Sequence, residues 1–320
     1  MKFHRLSESL HTLAIAMFLA APVAATPERP APDLLFIDND AVRIGIDRSM
    51  GASISWLSWR AHPQNIINIH DPGRLLQQSY YAGKKLDRRT DGQHEAWSPW
   101  TWNPIQGGGV MSWARVTRFE KSPDGRLIAE TVPKLWDMPD EEAEAVMEQF
   151  TQFEPDMPNA VQVRNRFISK RRENDRWGGA VPRAQELPAC YFTSAFHQIE
   201  SYLGHGKWRR EEQAPGPPWG TTTPPLNVMA CFNDDGQGVA VFSPVADKYW
   251  NFGPHQPYTP AAKPEDGPCV HIAPLSIIAL DAKSTLEYRY WLVVGSKEEI
   301  TKAIDTLLGK YRSEKIILEK

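Results

Sequence analysis

Cysteine is scarce in this chain: Cys190, Cys231 and Cys269 are the only three among 320 residues. An odd count allows at most one disulfide and leaves a thiol free. Cys190 and Cys231 sit inside the apolar runs ACYF and ACFN, which suits small buried core residues. No CxxC or HxxxH spacing occurs, so the common structural zinc sites are excluded. Asp234-Asp235-Gly236 lacks the spacing and the distal Glu of an EF-hand calcium loop, and reads as a hairpin turn. No metal and no cofactor is expected. There is no basic excess either: 36 Lys and Arg stand against 39 Asp and Glu, for a net charge of −3. Phosphate neutralisation by a general nucleic-acid binder needs the opposite balance. Beyond the N-terminus no run is apolar enough to span a bilayer, and no internal repeat is found.

What the chain has is turn formers and indoles. Its 27 prolines, 21 glycines and 12 tryptophans are high counts for a helical protein and favour strands joined by turns. The N-terminus has its own pattern. Lys2, His4 and Arg5 precede an apolar run from Leu13 to Ala21, with small residues at Val23 and Ala25. That is the pattern of a secretory signal over residues 1–25, and the run is short of the ~20 residues a membrane span needs. A periplasmic or secreted protein is expected, with no membrane contact after cleavage. A Pro-rich, disordered lead-in at 26–33 would precede one β-sandwich domain at 34–320.

Period-two alternation marks the strands. Val42, Ile44 and Ile46 alternate with Arg43, Gly45 and Asp47, and flanking strands are expected at Leu34–Ile37 and Ala52–Trp59. Ile66 to Ile69 reads as a buried strand, and a further strand is expected from Arg74 to Tyr80-Tyr81. Hairpins are expected around Pro123-Asp124-Gly125, between Ala145 and Ile168, and across Asp234-Asp235-Gly236. A last hairpin would pair HIAPLSIIAL with STLEYRYWLVV through Asp281–Ser284. One helix is clear. Ser296 and Glu299 form a capping box, and Ile300, Ile304, Leu307 and Leu308 an apolar stripe that would pack on the sandwich edge. Residues 315–320 read as a short strand or a disordered tail. The fold class is therefore all-β: an antiparallel sandwich with one C-terminal helix.

Two segments carry the candidate site. His70, Asp71 and Arg74 crowd the HDPGR turn, followed by Tyr80 and Tyr81. Trp97, Trp100 and Trp102 follow in HEAWSPWTWNPIQGGG, and Trp219 lies in the loop QAPGPPWGTTTPP. Aromatic rings stack on the apolar faces of sugars, so these rings read as a carbohydrate platform, against ordinary core and loop anchoring. Arg74 could clamp a carboxylate, which points to a substrate that can contain uronate; equally, Asp71 could cap the turn and pair with Arg74. An imidazole can serve as acid or base near neutral pH, so His70 is a candidate for either role. Glu186, at the mouth of the strand in RAQELPACYF, is sited for acid catalysis. Its partner carboxylate in a hydrolase would come from Asp71, Asp91, Glu95 or Asp247. Elimination would instead use Tyr80, Tyr81 or His94 as base, with Arg74 neutralising a uronate. His94, His197 and His205 also read as solvated loop residues.

The strand-and-turn pattern of AVRIGIDRSMGASISWLSWRAHPQNIINI, of CFNDDGQGVAVFSP and of IALDAKSTLEYRYWLVVG resembles that of galactose-mutarotase-like domains. The resemblance covers much of the chain. It implies a β-supersandwich whose concave sheet forms a sugar site, in a superfamily that includes aldose epimerases, with equivalent domains in glycoside hydrolases and polysaccharide lyases. The epimerases use a His acid and a Glu base, and by order His70 and Glu186 are the best matches. The HDPGR turn and the Trp-rich loop depart from the epimerase pattern. The resulting expectation is a secreted enzyme that cleaves a glycan by hydrolysis or elimination. A non-catalytic glycan-binding protein and an aldose epimerase are the alternatives.

Overall fold

A computed structural model describes residues 28–320, so the candidate signal segment lies outside the described residues. Two large antiparallel sheets dominate. The ten-stranded sheet runs in spatial order Arg115–Lys121, Leu127–Val132, Ala145–Phe153, Ala160–Ser169, Thr285–Ser296, Gln237–Phe242, Val228–Phe232, Gln198–Gly204 and Lys207–Arg210. The tail strand Ile317–Glu319 also pairs with Thr285–Ser296. The seven-stranded sheet runs Lys134–Leu135, Pro104–Ile105, Gln77–Ser79, Pro182–Thr193, Cys269–Ala279, Trp250–Pro254 and Gly220–Thr222. A three-stranded sheet, Leu34–Asp38, Val42–Asp47 and Ile54–Trp59, completes the body. Residues 28–33 form no strand or helix, but they are held: Trp113 Nε1 donates to the Glu28 carbonyl and Arg48 N to that of Asp33.

The inner faces of the sheets share one core. Met147, Val163 and Phe167 from the larger sheet cluster with Leu187, Cys190, Phe192 and Ile272 from the smaller. Strands with one wet face alternate, as at Ala145–Phe153 and Ala160–Ser169. Where the sequence turns continuously apolar, at Val228–Phe232 and along Thr285–Ser296, a second layer covers the outer face. That layer is the helix Lys297–Tyr311, whose Ile300, Ile304 and Leu307 pack on Phe232, Phe242 and Trp291. Burial of each of those aliphatic side chains contributes about 2 kcal/mol. The Ser296–Glu299 capping box forms as its sequence predicts. The helix therefore lies on a sheet face rather than at an edge.

Three expected hairpins form with the expected turns, and all three cysteines are free and buried. Two local expectations change. Cys269–Ala279 and Thr285–Ser296 do not pair; one lies in each large sheet, so Asp281–Ser284 carries the chain across the sandwich. The apolar content of both segments is set by burial, which neighbours in a hairpin and facing strands satisfy alike. Ile66 to Ile69 is largely buried but extends no ladder, making a single bridge from Ile67 to Phe192.

Candidate active site

The outer face of the seven-stranded sheet carries a cleft of two adjoining cavities, about 290 and 340 Å³, which share Tyr81, Trp100 and Glu186. Residues on or beside six of the seven strands of that sheet build the first, Cys269–Ala279 being the exception. Trp136 follows Lys134–Leu135, and Ile105 lies on the next strand. Ser79 and Tyr81 follow, then Glu186, Ala189 and Tyr191. His255 stands past Trp250–Pro254, and Trp219 just before Gly220–Thr222.

A bulge in Pro182–Thr193 makes this possible. Glu186 faces Leu275 while Cys190 faces Ile272, so this strand holds one residue more than its neighbour, and the register to Gln77–Ser79 slips likewise. Strict alternation would put Leu187 and Cys190 on opposite faces. With the extra residue, Leu187, Cys190 and Phe192 all enter the core. Glu186, Ala189 and Tyr191 all face the cleft. The Gln185 amide then fixes Tyr81: its Oε1 accepts from Tyr81 N at 2.8 Å and its Nε2 donates to Tyr81 O at 2.7 Å. Tyr81 Oη consequently stands 3.3 Å from Glu186 Oε2.

Glu186 is 9% exposed, and its burial raises the carboxyl pKa against the opposing pull of Ser79 and Tyr81. Among the described residues no lysine or arginine pairs with it. His271, fully buried, is the cross-strand partner of Tyr191 and stacks on it with a 4.3 Å centroid separation, and Trp219 lies 4.6 Å from it. Its Nδ1 is 3.1 Å from the Cys190 carbonyl. An oxygen acceptor there assigns the proton to Nδ1 and leaves a lone pair on Nε2. Nε2 has no hydrogen-bond partner and lies 3.8 Å from Glu186 Oε1, too far for a hydrogen bond. Burial lowers the His271 pKa to about 3, so the imidazole is neutral and forms no ion pair with Glu186, whose own ionised form is disfavoured by burial. His255 is lowered to about 4, mainly by burial and then by Arg74. Burial raises the phenols of Tyr81 and Tyr191, with Glu186 adding to it, so both remain hydrogen-bond donors.

The sequence candidates divide by placement. Glu186, Arg74, Asp71, Tyr81, Trp97, Trp100 and Trp219 line the first cavity. Tyr80 and Trp102 are in the core instead: Tyr80 donates to Gln78 and packs on Phe167, and Trp102 lies against Phe167 and Arg171. Tyr80 and Tyr81 are adjacent on an extended chain, so they must face opposite ways. His94 caps a short 3-10 turn through its Nδ1 and does not line the cleft. His70 does not line it either; its Nδ1 meets the Glu265 carbonyl. Arg74 pairs with Asp71 at 3.1 Å and donates to Gly267 O at 2.6 Å, while Asp71 also accepts from Gly73 N. The HDPGR turn thus has the structural form, with Asp71 and Arg74 also reaching the cavity. Of the candidate partner carboxylates only Asp71 shares a cavity with Glu186; Asp91, Glu95 and Asp247 line neither.

The indoles interlock. Trp97 meets Trp100 edge-on at 5.1 Å and Trp136 at 5.5 Å, and Trp100 Nε1 donates to Asn103 Oδ1. Gly73 is required for this wall, because a Cβ there would come 2.6 Å from the Trp136 ring. Trp136, Tyr191, His255 and His271 went unrecognised in the sequence. Tyr191 and His271 sit in apolar strand segments indistinguishable from core, Trp136 and His255 stand just past the ends of short strands, and only pairing across the sheet brings the four together.

No protein-family model and no curated protein matches the chain. Solved structures similar to it include a putative aldose 1-epimerase from Escherichia coli K12, at 9% identity and a TM-score of 0.46, over 83% of this chain and all of that one. A 4-alpha-glucanotransferase from Thermococcus litoralis is similar at 12% identity and a TM-score of 0.42, over 83% of this chain and 39% of that one. A heparan sulfate lyase from Pedobacter heparinus is similar at 8% identity and a TM-score of 0.40, over 80% and 33%. The likeness to putative epimerases accords with the resemblance in the sequence. At such identities and TM-scores it carries no argument about chemistry, which the side chains must supply.

Proposed function

We propose that the protein is a carbohydrate-active enzyme that cleaves an oligo- or polysaccharide, with Glu186 as the proton donor to the leaving oxygen. One observation carries this reading. A buried carboxyl whose pKa is raised by that burial stands where two cavities meet, walled by indoles on one side. Breaking a glycosidic bond needs a proton at the bridging oxygen, and a carboxylic acid with a raised pKa supplies it near neutrality. Two cavities meeting at that acid give room for a sugar on each side of the bond. The Tyr81 phenol orients the carboxyl. Asp71 is the second carboxylate available for the opposite face of the sugar. Hydrolysis is favoured over elimination because burial raises the pKa of the Tyr81 and Tyr191 phenols, which keeps them protonated and so unavailable as bases.

One feature favours anomer exchange as a second reading. The Glu186 carboxyl, its pKa raised by burial, lies 3.8 Å from the unpartnered His271 Nε2, and an acid and a base side by side suit ring opening of a free sugar. Both readings are tested on neutral and uronate-containing polysaccharides and on free aldoses. Reducing ends, ultraviolet absorbance and anomer exchange by NMR are read together. New reducing ends without absorbance, abolished by Glu186→Gln, are expected. Absorbance would establish elimination in place of hydrolysis, and anomer exchange alone would establish the second reading. Export belongs to the same proposal and rests on the Lys2–Ala25 pattern; N-terminal sequencing of the protein from its native host checks it.

A further inference from the structure

The two cavities differ in chemistry. The first is lined by Trp97, Trp100, Trp136 and Trp219, and its one cation, Arg74, is already paired with Asp71. The second is lined by Lys85, Arg183, Tyr249 and Asn251, and its one carboxyl among the described residues is Glu186, whose ionised form burial disfavours. Lys85 projects from the strand Ala82–Leu86, is exposed, and holds its Nζ over the Trp100 ring at 6.0 Å. Arg183 is half-buried, and its Nε and Nη2 both point to the Gly83 carbonyl. That bond fixes the guanidinium without neutralising it. Among the described residues neither cation has a carboxylate within 4.0 Å, whereas most arginines of this chain do. An acidic chain thus keeps two unneutralised cations in one cavity beside its candidate acid.

We infer that the second cavity binds an anionic group of the glycan, a carboxylate or a sulfate, on the sugar across the scissile bond from the indole-lined cavity. The inference rests on the carbohydrate reading and deepens it. Lys85 acts as a mobile point charge and Arg183 as a fixed one, with Asn251 and Tyr249 beside them for the sugar hydroxyls. The charges are partly open to water, so their contribution is screened by salt.

Equilibrium binding tests this without turnover. The Glu186→Gln protein, which the proposed function makes inactive, is titrated by calorimetry and by tryptophan fluorescence. The ligands are uronate-containing oligosaccharides, their carboxyl-reduced counterparts and sulfated counterparts of the same neutral backbones. The expected result is about tenfold tighter binding of one anionic series than of its neutral counterpart at low salt. The gap narrows at high salt and closes in Lys85→Ala combined with Arg183→Gln. Whichever anionic series shows the gap identifies the group. Equal affinity for charged and neutral ligands overturns the inference while leaving the carbohydrate reading standing, as does a gap that survives both replacements. Failure of every glycan to bind overturns the carbohydrate reading, and this inference with it.

Discussion

Two buried glutamates, one behind each large sheet's outer surface, have opposite surroundings. Glu154 is 2% exposed under the helix that covers the ten-stranded sheet. Its Oε2 accepts from Trp291 Nε1 at 2.8 Å and from Gln162 at 3.2 Å, and its Oε1 accepts from Tyr311 at 2.7 Å with Lys310 nearby. Glu186, on the uncovered sheet, has the Tyr81 phenol at 3.3 Å, no cation, and an imidazole nitrogen just out of reach. The first carboxyl is saturated with donors and fastens a helix. The second is left in want of a partner at a cleft. Burial alone therefore says little about role; the degree to which a buried polar group is satisfied says more.

The sharpest break between them is catalytic. Glu186→Gln should lower turnover by about 10²–10⁴ with little change in melting temperature, as expected when a general acid is removed. Glu154→Ala should leave turnover intact and cost about 3 kcal/mol in urea unfolding, because three donors and a nearby cation lose their acceptor. A turnover loss from Glu154→Ala alone, at unchanged stability, would end the comparison.

Two tryptophans extend the contrast from charge to packing. Trp102→Ala should destabilise the fold by about 3–5 kcal/mol through a core cavity. Trp219→Ala should cost about 1 kcal/mol of glycan affinity and little stability, since that ring is half-buried at the cleft. Paired melting and binding curves on both variants check this.

The pH dependence is subtler. Glu186 has a folded pKa above its unfolded value, so the stability it contributes is complete below the unfolded value and is lost as pH rises through the folded one. Activity that needs the protonated acid should fall over the same upper limb, and Glu186→Gln should remove that limb from the melting profile. His271 works the other way. It is lowered from 6.5 to about 3, so the unfolded chain binds the extra proton and stability should fall as pH drops from 6.5 towards 3. His271→Phe should flatten part of that acid slope in melting temperature against pH; His255, lowered to about 4, accounts for a further part.

Local order was plain in the sequence. The alternation of Val42, Ile44 and Ile46, the Pro-Asp-Gly turn at 123–125 and the Ser296–Glu299 cap each depend on residues within a few positions of one another. All three formed as expected. Much of the cleft was legible too, because tyrosine and tryptophan beside turn residues and a carboxyl at a strand mouth are visible composition. Tyr80 against Tyr81, and Trp102 against Trp100, were not separable, since the face on which a ring lies depends on register.

By itself, then, the sequence determined the strands, the turns, the helix and a short set of residues rich in chemistry. The tertiary structure decided which of them meet. It sent Cys269–Ala279 and Thr285–Ser296 to different sheets, paired His271 with Tyr191 across two strands, and inserted one residue into Pro182–Thr193 so that Glu186 and Tyr191 share a face. The physical reason is that periodicity and capping are properties of neighbours along the chain. Pairing between distant strands is fixed by the joint burial of both faces, and a shift of one residue inverts every side chain beyond it.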